Sequence, residues 1–440
     1  MKFAYLLFFM CCYALVCAQQ PNLIDTLSPL QKSILKADYK KRKTVFFAQL
    51  DESLNKKESK EIKSVFEESY KEIQQKIDQN KILYDTPFND YLNTLAKTIQ
   101  QENPEIPKNL SLLVSIESQT NAHNRGEGTI VIYNYLLNAL DNEDQLVYIL
   151  CHEMAHQTLD HVLKSVTKYV QSNNSEELIA KTKKLKKQKY SKKTSAENLL
   201  KEIIYNNSAE SRKRETQADS LGYIFYSRLN RNPHQVARSL EKLRDSDIES
   251  DSLTPQDYTK ILESFQVQIK DKWFKMERFD QYYYQKNTRF NTDSLRSHPN
   301  IDVRIEQLIS LAPEIKGHEQ IATLKTSSSA EFILWQQSAI YQNIQNEYYL
   351  KNYGNSLYEA LKLYNRKPTE QVKNWIGLNL QKIYEAKQTY KLNKFVSQVN
   401  VAKYTHSYNL FSSFIFNLSL SDLENIYKSI EPQITFTKTL

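Results

Sequence analysis

In CHEMAHQTLDH (151–161) two histidines stand four residues apart, with a glutamate directly after the first. On a helix, His152 and His156 share one face one turn apart, so both imidazoles can reach a single ion. Glu153 is rotated by about 100° from His152, near enough to touch a water on that ion without ligating the ion itself. The arrangement suits Zn²⁺, which lowers the pKa of such a water toward about 7 while the carboxylate takes its proton. A third ligand is still needed. His161 fits poorly, because the metzincin pattern turns the chain at a glycine and places its third histidine six residues past the second. Here Leu159 occupies the turn and His161 falls at plus five, so a continuing helix would carry it off the metal face. RKRETQADSLGYIFY (212–226) offers more: Glu215 and Asp219 are one turn apart on an expected helix. Glu215 can complete a His-His-Glu site with the fourth position open. Asp219 can accept a hydrogen bond from the outer nitrogen of a ligand histidine and fix its tautomer. The same spacing also suits a surface carboxylate pair, and spacing alone leaves both readings open. Cys151 adjoins a ligand but points off the metal face, as a packed core thiol does.

These side chains need elements to hold them. Glycine is very scarce at 6 in 440 residues and proline low at 11. Sheets need many tight turns, so the chain is expected to be mainly α, with one small β-sheet (α+β). Asp141 to Asp144 supply an acidic helix start. From there a long helix should carry the motif, its core face running through Leu146, Ile149, Leu150 and Leu163. NLSLLVSIES (109–118) reads as a strand, NAHNRGEG (121–128) as a turn, and TIVIYNYLL (129–137) as a second strand leading into a helix. PFNDYLNTLAKTIQQ (87–101) is a further helix, closed by ENPEIP (102–107), and another runs from about 208 to 229. Residues 19–85 carry helix-period apolar positions, as in IKSVFEESYKEIQQKI (62–77). Beyond 313 the chain looks like a separate helical unit. YYLKNYGNSLYEALKLYNRKP (348–368) has the spacing of a tetratricopeptide helix pair, although a second copy near Trp375 is poor. The expected division is a leader (1–18), an N-terminal helical segment (19–85), a catalytic domain (86–312) and a helical, repeat-like C-terminal domain (313–440).

The first residues, MKFAYLLFFMCCYALVCAQQP, hold one lysine and then an apolar run of about a dozen residues. That is the pattern of a secretory signal peptide cut after Ala18. The run is shorter than the roughly 20 residues of a membrane span, and Val16 is not the small residue that lipidation at Cys17 would want. The mature chain is therefore expected to be exported, soluble, and periplasmic or secreted. It would keep only Cys151 and form no internal disulfide. The net charge of +8 is uneven, because Lys181–Lys193 holds eight lysines and no acid. Such a run is usually a solvated face, and the functional alternative is peripheral contact with anionic lipid. Nucleic acid is not an expected partner, since no aromatic-basic platform is present.

HEMAH followed by ETQAD about sixty residues later resembles the HtpX-like and CAAX-prenyl-endopeptidase-like family of gluzincin metallopeptidases. Further matches span about 85 to 310: Asn121-Ala122 before a glycine-containing turn and apolar strand, His161 five residues after HExxH, and SHPNIDVRIEQL (297–308). The resemblance implies one Zn²⁺ per chain on His152, His156 and Glu215, with Glu153 as general base and Asp219 behind a ligand. It also implies that His298 approaches the site, to hold the oxyanion or gate the metal. Arg304 reads as a structural ion pair. The family's membrane-embedded branches carry several spanning helices, and this chain looks instead like the periplasmic branch. That branch is associated with outer-membrane protein assembly and with degrading misfolded envelope proteins. Substrate polypeptide would pair with the edge strand near Asn121 to Thr129, with Asn121 and Ala122 as its binding residues. The competing expectation is a chaperone-type binding protein with a latent zinc site, acting through its C-terminal hairpins.

Overall fold

A computed structural model describes residues 27–84, 86–117, 120–176, 180–181, 183, 192–245, 252–275, 300–317, 328–401 and 403–430. The expected leader, His298 and most of Lys181–Lys193 lie outside the described residues. The fold is mainly helical with one four-stranded sheet, as composition suggested. It divides into two compact units, 1–244 with 287–339, and 245–286 with 340–440. Among the described residues no helix is long and apolar enough to cross a membrane.

The first unit opens with α1 (Pro29–Ser53) and α2 (Lys56–Asp78). Ser28 and Gln31 form a capping box at the start of α1, and the Asn55 side chain caps α2 by accepting from the Glu58 N–H. Such caps satisfy amide groups that the first helical turn leaves bare. Strand β1 (Ile82–Leu83) follows, then α3 (Pro87–Glu102), β2 (Ser111–Ser115), β3 (Ala122–Asn124), β4 (Thr129–Tyr133) and the single turn α4 (Leu136–Ala139). Sheet order is β1-β2-β4-β3; β2 and β4 are parallel and the other pairs antiparallel, which leaves β3 at an edge.

Alternation along the strands builds two cores. Leu83, Leu112, Val114, Ile130 and Ile132 face one cluster, while Ile82, Leu113 and Val131 face another. The second cluster is completed by Tyr39, Phe46 and Leu50 of α1 and by Phe66, Tyr70 and Ile73 of α2. The helical hairpin thus covers one face of the sheet, and both faces are apolar because both are buried.

The other face carries α5 (Glu143–Thr158), capped by Asn142 and started by two acids that favour the positive helix end. The expected long helix is broken here. α5 stops at Thr158, Asp160 takes a left-handed φ of +53°, and α6 (His161–Asn173) begins at once, so Leu163 lies on a different helix from Leu150. No glycine or proline marks the break; aspartate is one of the few residues that enters this region at modest cost. α7 (Lys192–Ser227) is a 36-residue helix, longer than the one expected from about 208. Gly222 lets it cross α5 closely: a Cβ there would lie 3.0 Å from the His152 Cα. α8 (His234–Asp245) and α10 (Ile301–Leu311) complete the layer.

Ile305, Leu308, Ala312, Ile315, Phe332 and Trp335 join the same core as α5. Chain beyond residue 313 therefore still belongs to the first unit, and α11 (Ala330–Tyr349) spans the division at 339 and 340. The second unit contains α9 (Pro255–Ser264), α12 (Tyr353–Arg366), α13 (Glu370–Gln388), α14 (His406–Asn417) and α15 (Leu420–Ile430). α12 and α13 form a helical hairpin packed through Leu357, Leu361, Trp375 and Ile376, all buried.

Candidate metal centre

His152 and His156 leave α5 toward α7, which presents Glu215 and Asp219. Nε2 of His152 lies 3.1 Å from Nε2 of His156. The Glu215 carboxylate faces both, at 3.6 Å from His152 Nε2 and 3.5 Å from His156 Nε2. Among the described residues these three form the one group of histidine, cysteine and acid side chains whose donor atoms converge, all within 4.8 Å of one another. Bonds of about 2.0–2.2 Å to a tetrahedral zinc place neighbouring donor atoms about 3.3–3.6 Å apart. The three observed separations bracket that range, and two imidazoles with one carboxylate are a donor set that zinc takes. The residues fit the ion.

Behind the donors lies a charged support. Nδ1 of His152 is 3.0 Å from Oδ1 of Asp219. Asp219 in turn receives Nε of Arg304 at 2.7 Å and its Nη2 at 2.6 Å, a two-pronged bond from α10. The Tyr148 hydroxyl adds a third donor at 3.3 Å. Asp219 and Arg304 are 2% and 5% exposed, so this ion pair is shielded from water. Burial alone would raise the Asp219 pKa, but the Arg304 guanidinium and His152 hold it at about 2. Burial works against a charge on His152, yet the hydrogen bonds and charges of Asp219 and Glu215 lift it to about 10. His156 is pushed down to about 3 by burial and by the neighbouring His152.

Glu153 is buried beside these donors, and the backbone of Asn124 on β3 is among the groups that favour its charged form. Burial, with Glu215 adding to it, pushes this acid up to about 7 against the opposing pull of His152. One turn on, Gln157 accepts from the Asn124 amide at 2.9 Å and from the Gly128 N–H at 3.0 Å. It pins β3 and the following turn to the metal-bearing helix. In the β3–β4 ladder the main chain of Asn121 and Arg125 bonds to β4. Alternation then turns the N–H and C=O of Ala122 and Asn124 outward. Asn121 is exposed at the strand's start and Ala122 half-buried beside the core.

The structure thus groups His152, His156 and Glu215, and sets Glu153 and Asp219 around them. It places Ala122 on the edge strand β3, with Asn121 just before it, where the sequence had read a turn over 121–128 and a substrate-pairing edge near 121–129. His161 is not among the converging donors; its Nδ1 sits 3.0 Å from the outer Nδ1 of His156. The Cys151 thiol is fully buried and its pKa raised by that burial, the state of an inert core thiol. Sequence reasoning missed Tyr148, Gln157 and Gln217. The first two stand one turn from His152 and Glu153, which was the available signal. Arg304 was expected as an ion pair, but its partner, Asp219, could not be named from spacing.

An HExxH helix whose metal group is completed by a glutamate from a second helix defines a metallopeptidase centre. The chain belongs to peptidase family M48, whose sequence model matches residues 89–312, from the start of α3 to the end of α10. No curated protein matches the chain significantly.

Proposed function

We propose that this M48 chain is a zinc-dependent endopeptidase that cleaves exported or envelope polypeptides in protein quality control. The observation that carries the reading is the convergence of His152, His156 and Glu215 beside a buried Glu153 that faces the free edge of β3. Zinc, held by those three residues, would supply Lewis acidity to a carbonyl and to water.

The chain's own groups do the rest. An extended polypeptide adds to β3 and takes main-chain hydrogen bonds from Ala122. Glu153 accepts a proton from the attacking water as the new C–O bond forms, then delivers it to the leaving nitrogen as the C–N bond breaks. The backbone of Asn124 favours the charged Glu153, while Gln157 fixes the strand through the Asn124 amide and the Gly128 N–H. Asp219, anchored by Arg304, keeps the proton of His152 on Nδ1 and so leaves Nε2 as a donor. His298, outside the described residues, is assigned by resemblance to the developing oxyanion.

The exported location rests on the leader sequence. Contact of Lys181–Lys193 with anionic lipid, and docking of the C-terminal helices to outer-membrane assembly machinery, are part of the same proposal. They rest on charge and on the resemblance to the periplasmic branch. The test is incubation of the purified protein with an unfolded polypeptide, with and without chelator, beside a metal measurement. One zinc per chain and cleavage lost on chelation are expected; absence of bound metal, or cleavage indifferent to the chelator, would overturn the reading.

A further inference from the structure

We propose that His161, steadied by Gln217, is a positioning residue that sets the tautomer and the ring orientation of His156. The assignment rests on the metallopeptidase reading above and adds a residue to it. His156 has two ring nitrogens with opposite duties. Nε2 belongs to the donor group with His152 and Glu215, while Nδ1 faces away, 3.0 Å from Nδ1 of His161. Where no ion lies between them, two ring nitrogens at that separation must share one proton, because two bare lone pairs repel and two N–H groups collide. We assign that proton from the far end, with the Gln217 amide in the orientation that aims its oxygen at His161. Nε2 of His161 lies 3.2 Å from Oε1 of Gln217, an oxygen that can only accept. Nε2 of His161 therefore bears the hydrogen, and a neutral imidazole with its hydrogen there has a bare Nδ1. That Nδ1 accepts from Nδ1–H of His156, which leaves Nε2 of His156 with its lone pair aimed into the donor group.

The chain break explains how His161 reaches this place. A helix continuing past Thr158 would carry residue 161 away; the left-handed Asp160 turns the chain so that α6 starts on His161 itself. The ring is 4% exposed, so water does not substitute for it readily. Gln217 is exposed, and water can take over from its oxygen. It lies on α7 between Glu215 and Asp219. One helix thus supplies a donor, the partner of His152, and the partner of the residue that holds His156. Partners of this kind are worth about 10–100-fold in metal affinity.

The test separates an acceptor role from mere packing. His161→Phe keeps a ring and has no acceptor; His161→Asn loses the ring but puts Oδ1 where Nδ1 stood. Zinc affinity is read by competition with a chromophoric chelator, and folding by the thermal transition of the zinc-free protein. The expected result is a roughly 10–100-fold loss for His161→Phe, near-wild-type affinity for His161→Asn, and a few-fold loss for Gln217→Ala. In the zinc-loaded wild type, nitrogen-15 NMR should show His156 protonated at Nδ1 and in slow exchange, a signal lost in His161→Phe. If the Phe ring does not fit, His161→Leu makes the same comparison. A folded Phe or Leu variant that binds zinc as tightly as wild type, or an Asn variant no better than either, would overturn the assignment. A wild-type protein that binds no zinc overturns the metallopeptidase reading beneath it, and this assignment with it.

Discussion

A carboxylate buried as deeply as Glu153 keeps its charge only where donors and cations stand close. Here His152 and the Asn124 backbone favour that charge, while burial and Glu215 outweigh them and push the acid up to about 7. Glu153→Gln retains the shape and an acceptor for Asn124 but cannot take a proton. It should bind one zinc, unfold at the wild-type temperature, and cleave an unfolded polypeptide at least about 100-fold more slowly; a variant cutting at the wild-type rate would remove Glu153 from the chemistry. Arg304 acts one step further back. Arg304→Met leaves Asp219 a buried carboxylate without its counter-ion, which costs about 3–5 kcal/mol. Urea unfolding with chelator present should show that loss without any contribution from metal. At this scale the sequence was legible wherever partners sit one turn apart: His152 with His156, and Glu215 with Asp219. It was not legible for Arg304, 85 positions from Asp219, because nothing local says which distant carboxylate a cation will meet.

The break between α5 and α6 shows how an element can hide from its own pattern. Apolar spacing continues from Leu150 to Leu163 as if one helix ran through, and only the backbone of Asp160 departs from it. Asp160→Gly should leave stability unchanged or slightly raised. Asp160→Val should lower it by about 1–2 kcal/mol, since a β-branched side chain is crowded in the left-handed region; denaturant midpoints check both. β3 left no periodic signal of its own: three residues in a polar stretch form a strand only because β4 is there to pair with them. The helical character of 19–85, the strands β2 and β4, and α3 were readable from local pattern and composition, whereas the break that makes α1 and α2 a hairpin was not. In the second unit the Asp422 carboxylate closes a capping box with Ser419 and receives the Trp273 indole N–H at 3.2 Å and the Lys270 ammonium. Burial would raise its pKa, but Lys270, Ser419 and Trp273 hold it well below the ordinary value. A lowered folded-state pKa stabilises fully above the unfolded value near 3.9, and that contribution fades as pH falls toward the folded-state value. Denaturant unfolding of the wild type should therefore show stability falling below about pH 4. In Asp422→Asn this part of the acid sensitivity should be missing.

For the whole molecule, the centre is a meeting of two helices that the sequence holds far apart. Gly222 sets how closely they cross. Gly222→Ala should push α7 off α5, lowering the melting temperature and weakening zinc together, because Glu215 rides on the displaced helix. An ion bound to the folded state alone adds stability by mass action, about 2.7 kcal/mol at a free concentration 100 times its dissociation constant. Chelation should accordingly lower the melting temperature of the wild type, and far less that of a His152→Ala variant; equal shifts in the two would mean that no ion bridges the helices. The connection from His161 to Glu215 bears on this crossing in one further way. Closing a loop grows harder only with the logarithm of its length, by about 0.6 kcal/mol per doubling. Insertions or deletions between the end of α6 and the start of α7 should therefore leave the hydrolytic centre intact so long as Gly222 still seats against His152. Natural variation there can reshape the protein's outline without touching its chemistry.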